Sequence, residues 1–230
     1  MGHTAPMAKS PSFPGTMTDA IILHARLRLP LSCPAWHEPL LQALPYAQRL
    51  ELERREAEAR RASLAGLGLV LVGAARMSQR EFPPQAFTFP PAGKPRLAGG
   101  PYFSISHSNS AVSCIVCADT DCGIDIADRP DLADYATGAK LQRWTATEAA
   151  LKAAGLGLRA TGEVALADRL GHAIVRGQRY ELQSLDYMPD VIGHIAAGTK
   201  LTPDIASLEL DDARTSALLE RSLGLAAQIE

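Results

Sequence analysis

The chain has 230 residues, 47 % of them hydrophobic and 21 % charged, an ordinary globular composition with length for one large domain or two small ones. Its formal net charge of −2 excludes a global basic field for nucleic acid, and there is no acidic tail. The longest apolar run, LAGLGLVLVGAA at 64–75, is too short to span a bilayer, so no membrane partner is expected.

Residues 1–17, MGHTAPMAKSPSFPGTM, are rich in Pro, Ser and Gly without periodicity and read as a disordered leader. AIILHARL (20–27) predicts a strand, and its His24 and Arg26 argue against a signal peptide. A charged helix is expected over 46–62, continuing or restarting as an apolar helix to about residue 75, with Gly66 and Gly68 counting against it. Arginines crowd this region, from Arg49 to Arg80. GLGLVLVG lacks the spacing of a phosphate loop. Residues 81–101 hold six prolines and predict an extended connection. YFSIS (102–106) and AVSCIVCAD (111–119) read as two strands joined by a polar turn, and GIDIA (123–127) as a third. KLQRWTATEAALKAAG (140–155) is a helix ending at Gly155. Strands follow at VALAD, HAIVRG, RYELQSLDY and DVIGHIAAG, and ALLERSLGLAAQIE predicts a closing helix. This order gives an α+β fold of two halves, 18–120 and 121–230, with the join near residues 118–122.

Of the four cysteines, Cys114 and Cys117 form a CxxC pair on a strand. Side chains three apart on a strand point to opposite faces, so the pair does not share a metal. Buried thiols in a reducing cytoplasm are expected instead.

Four short stretches bear on chemistry. In GIDIA, Asp125 shares a strand face with Gly123 and Ala127, which leaves room for something to approach it. It is either a turn-end cap for neighbouring amides or a ligand for a hard cation. Glu148 and Lys152 stack four apart on a helix and would ordinarily be a surface ion pair. The alanines around them let that helix pack close to another surface; against the Asp125 strand, two carboxylates and a lysine would converge on a cation and a phosphate ligand. SISHSNS (104–110) is either a polar hairpin tip or an anion site built from backbone amides, hydroxyls and His107. GKP (93–95) places a lysine in a constrained turn, a common surface feature.

In order, GKP, SISHS, GIDI and WTATEAALKAAGLGL (144–158) resemble the surfactin-synthetase-activating type of 4′-phosphopantetheinyl transferase. The resemblance runs from about residue 20 to 200 and includes RRASL (60–64). It implies two pseudo-symmetric α+β halves with coenzyme A between them. It also implies magnesium-dependent transfer of the phosphopantetheine arm to a serine of an acyl or peptidyl carrier protein, releasing adenosine 3′,5′-bisphosphate, by a monomer. By the same resemblance, Asp125 and Glu148 are the magnesium ligands, Glu148 is the general base for the carrier serine, and Lys152 steadies the pyrophosphate and its leaving charge. Ser106, His107, Lys94 and Arg61 contact coenzyme A. The chain departs from the pattern at Ala127, where the family has a glutamate on the Asp125 face, and at Thr147, where it has a lysine. Asp128 should face the other way unless the strand bulges. The link between Asp125 and Glu148 is shorter than in relatives, which bears on carrier recognition. The alternative is a degenerate relative that binds coenzyme A or a carrier protein without turnover. A serine hydrolase is set aside because no G-x-S-x-G elbow exists.

Overall fold

The computed structural model describes residues 19–27, 34–91, 93–129, 135–210 and 213–223. Residues 1–17 and Cys33 lie outside them. The fold is α+β. The strands are β1 (Ala20–Arg26), β2 (Phe87–Thr88), β3 (Arg96–Leu97), β4 (Tyr102–His107), β5 (Ala111–Cys117) and β6 (Cys122–Asp128), then β7 (Val164–Leu166), β8 (His172–Val175), β9 (Gln178–Leu185), β10 (Val191–Ala197) and β11 (Pro203–Ser207). The helices are α1 (His37–Ala43), α2 (Tyr46–Glu53), α3 (Ala57–Ser78), α4 (Tyr135–Ala153) and α5 (Ala213–Ser222).

Two larger sheets carry the fold, β11-β1-β5-β4 and β6-β10-β9-β8-β7, besides the small β2–β3 pair in the proline-rich segment. Strand alternation explains how they stack. Leu23, Ala25, Val112, Cys114 and Val116 turn toward α3 in one core. Their neighbours Ala20, Ile22, Ala111, Ile115 and Cys117 meet Ile124, Ile126, Val191 and Ile195 of the second sheet in another. The far face of the second sheet packs on the alanines of α4. β5 and β10 are thus buried on both faces and read as continuous apolar runs. Cys114 and Cys117 point to opposite sides of the first sheet, as alternation requires.

The expected long helix is two helices broken at Arg54–Glu56. The glycines that weaken helix propensity in α3 lie at contacts. A Cβ on Gly66 would come within 2.5 Å of Ile105 Cγ2, and one on Gly73 within 2.8 Å of Val116 Cγ2. Close packing on the sheet offsets the entropic cost of glycine there.

The chain changes sheets at the turn after β5, as the expected join near 121 requires, but the second half is not self-contained. β11 returns to pair in parallel with β1, and Leu219 of α5 joins the core beneath α3. The indole of Trp36 donates to the Leu210 carbonyl at 3.2 Å across the same return. A boundary at 121–230 therefore fails from β11 onward. The segment was missed because PDIAS begins with a proline and has little apolar alternation, as suits an edge strand. Among the described residues, no helix is long and apolar enough to cross a membrane.

Candidate functional site

The site lies where β4 of the first sheet meets β6 of the second, under α4. Two serine hydroxyls join these strands. Ser104 Oγ accepts the Ile124 N–H and Ser106 Oγ accepts the Ile126 N–H, each at 3.2 Å. The alternating serines of SISHS thus serve as acceptors for an edge that would otherwise hold unpaired amides. Ser106 also donates to Asp125 Oδ1 at 2.8 Å.

Gly123 sets how close α4 lies. A Cβ there would fall 1.9 Å from the Ala149 carbonyl oxygen and 2.7 Å from the Ala153 nitrogen. Helix backbone rests directly on strand backbone, which only glycine on one side and alanine on the other allow. This contact brings Lys152 and Glu148 to Asp125. Lys152 Nζ donates to Asp125 Oδ1 at 2.6 Å and to the Ile124 carbonyl at 3.0 Å. Asp125 is 5 % exposed, so this is an inward-facing group held by a cation and a hydroxyl.

Glu148 is only half-buried, yet its carboxyl is pushed above the ordinary range. Burial is the main cause and the neighbouring Asp125 charge the second, with Lys152 and the Trp144 indole pulling the other way. Asp125 and Glu148 are thus two hard oxygen donors that repel each other, an arrangement a divalent cation relieves. Ala127, half-exposed on the same face, adds no third donor. Among the described residues no group of three or more His, Cys, Asp or Glu side chains could hold a metal. A cation here would have two carboxylates, Asp125 and Glu148, with Lys152 already bonded to one oxygen of Asp125.

Asp128 does not replace the missing acid. β6 pairs with β10 in regular register through Val191↔Asp128, without a bulge. Asp128 instead accepts from the Asn109 and Ser110 amides and from Ser110 Oγ, closing the hairpin turn. Those bonds hold its carboxyl below the usual range despite the opposing effect of burial.

The expected coenzyme A contacts divide. His107 is exposed at the end of β4 and borders a cavity of about 340 Å³ that Arg55, Ser63, Phe89, Pro90 and Gly93 also line. Partial burial of its ring, then Lys152 and Arg55, lower its pKa against the pull of Asp125, which disfavours the charged imidazole.

Ser106 is turned inward. It is 6 % exposed, and its one hydroxyl proton goes to Asp125, so it is a strut of the acid and has no proton left for a phosphate. Lys94 is held by protein groups. Its side chain is 7 % exposed and lies 3.5 Å from Asp121, and Nζ donates to the Cys122 carbonyl, pinning the GKP turn to the start of β6. Arg61 is not among the residues lining the cavity; Arg55 is. The arginine crowding in the sequence pointed at this segment, but the break between α2 and α3 decides which guanidinium faces the cleft.

No protein-family model matches the chain, and no curated protein matches it.

Proposed function

We propose that the chain is a 4′-phosphopantetheinyl transferase that moves the arm of coenzyme A to a serine of an acyl or peptidyl carrier protein. The observation that carries this reading is the seating of α4 on Gly123, which puts Glu148, Lys152 and Asp125 in one cluster beside an open cleft bordered by His107 and Arg55. In this reading coenzyme A lies in that cleft, between two halves related by pseudo-symmetry.

Asp125 and Glu148 would hold magnesium, which when bound neutralises the diphosphate charge and so favours attack and departure. Glu148 takes the proton of the carrier serine directly or through water. The serine oxygen bonds to the phosphorus nearer the pantetheine, and the bond from that phosphorus to the bridging oxygen breaks. Adenosine 3′,5′-bisphosphate leaves with that oxygen, and the ammonium of Lys152 offsets its charge. Lys152 stays close to Asp125 while doing so, since Ser106 and the Ile124 carbonyl fix the geometry.

One observation favours a second reading, a relative that binds coenzyme A or a carrier protein without turnover. Lys152 already occupies Asp125 Oδ1, and position 127 carries no carboxylate. Incubating apo carrier protein with coenzyme A and magnesium and weighing the product separates the two. An added phosphopantetheine mass supports transfer; coenzyme A binding with no mass gain across several carriers supports the second reading.

A further inference from the structure

A separate cavity of about 560 Å³ opens on the α4 side of the second sheet, lined among others by Gln142, Arg169, Ser184, His194 and Lys200. None of Asp125, Glu148, Lys152 or His107 lines it. Its lining is unusual in three respects.

First, it holds two exposed cations, Arg169 and Lys200, and neither has an ion-pair partner among the described residues. Lys200 lies near enough to Glu181 to lower its pKa, but Arg179 already binds that carboxylate at 2.7 Å. Second, no carboxylate lines the cavity. Asp186 and Asp125 act on the His194 ring from outside it.

Third, His194 is 3 % exposed and has a free ring nitrogen. Its Nδ1 lies 2.8 Å from Thr145 Oγ1. Thr145 Oγ1 lies 3.0 Å from the Leu141 carbonyl and 3.2 Å from that of Gln142, so its single proton goes to the helix backbone. In that arrangement Nδ1 carries the proton that Thr145 accepts. Nε2 is then a bare lone pair, and no side-chain or backbone group among the described residues bonds it. Burial keeps the ring neutral, with its pKa lowered to about 4. An acceptor without a protein partner, on the wall of a cavity that also holds two unpaired cations, fits a ligand that is both anionic and a hydrogen-bond donor.

We propose that this cavity is a binding site for a small phosphomonoester that carries a hydroxyl, its dianion between Arg169 and Lys200 and its hydroxyl donating to His194 Nε2. A phosphomonoester dianion matches the two positive charges, and the volume falls in the range of small-molecule sites. This inference stands whether or not the chain transfers phosphopantetheine, since it shares no ligand-contacting residue with that site.

The test is calorimetric titration of the full chain at pH 8 with glycerol 3-phosphate and, separately, with methyl phosphate, a dianion of the same class without a hydroxyl. Glycerol 3-phosphate is expected to bind at least about fivefold more tightly. Arg169→Ala and Lys200→Ala, both at exposed positions, should each weaken it about tenfold or more. On the wild-type chain, the ¹⁵N resonance of His194 Nε2 should shift with glycerol 3-phosphate and not with methyl phosphate. No saturable binding of either compound at millimolar concentration overturns the site. So does affinity unchanged in both variants. Equal affinity for the two compounds, or an Nε2 resonance that stays still, overturns the role of His194.

Discussion

The two long helices pack on their sheets by opposite means. α3 lays Leu64, Leu67, Leu69, Val70 and Leu71 into a core shared with Trp36, Phe82 and Phe103. α4 offers the second sheet Ala146, Ala149, Ala150 and Ala153, and at Gly123 its backbone touches the strand. The first contact buries bulk and supplies stability. The second buries little per residue but fixes distance, and distance is what brings Lys152 and Glu148 to Asp125. A catalytic constellation needs sub-ångström placement more than it needs area. The alanine-lined helix thus serves the site, and the leucine-rich helix serves the fold.

The contrast breaks most sharply at Glu148. Under the proposed transfer, Glu148→Gln should lower the rate by roughly 10²-fold or more with little change in stability, because it removes the proposed base and proposed metal donor together. Steady-state rates and a denaturant midpoint check both halves; an unchanged rate would remove Glu148 from the chemistry.

Substitution at the two packing contacts sharpens it further. Gly123→Ala must push α4 off the strand, costing about 3 kcal/mol or more and the geometry of Lys152 as well. Leu71→Ala should cost a similar ~2–5 kcal/mol through its cavity, yet leave the rate per folded molecule near wild type. Urea melts paired with active-site titration distinguish them. Loss of rate in Leu71→Ala, or none in Gly123→Ala, would undo the division of labour.

pH offers a smaller effect. His194 is held neutral with its pKa lowered to about 4, against about 6.5 unfolded. Between those values the unfolded state binds more protons, so stability rises with pH across the window and is lost as pH falls from 6.5 toward 4. The full contribution is about 3 kcal/mol. His24 and His107, also lowered, add to the same trend. Unfolding free energies measured from pH 7 to 4 should therefore fall less steeply in His194→Gln than in the wild type.

Smallest is Ser106→Ala, about 1–2 kcal/mol, because the Ile126 amide and one Asp125 bond lose a partner while Lys152 remains. Thermal melts check it.

Much of this was legible in the sequence. Short apolar runs bounded by turn residues located β1, β4, β5, β6 and β10 to within two residues at each end. The small residues at 123, 146, 149, 150 and 153 signalled a close helix–strand approach before any coordinates, and that approach is what assembles the cluster. What stayed hidden was partner choice. Nothing in SISHS says that Ser104 and Ser106 turn to the amides of a strand some twenty residues on, which takes Ser106 from surface to interior. Nothing in GKP says that Asp121 lies opposite Lys94. β11 carries too little apolar pattern to announce a return to β1. α1, entered from the proline-rich stretch before His37, was missed for the same want of pattern.

The most direct test of the central claim is intact-mass measurement of an apo carrier protein after incubation with coenzyme A, magnesium and this chain. The account predicts one phosphopantetheine added per carrier serine by the wild type and none by Glu148→Gln. A mass gain with both proteins, or with neither across several carriers, would contradict it.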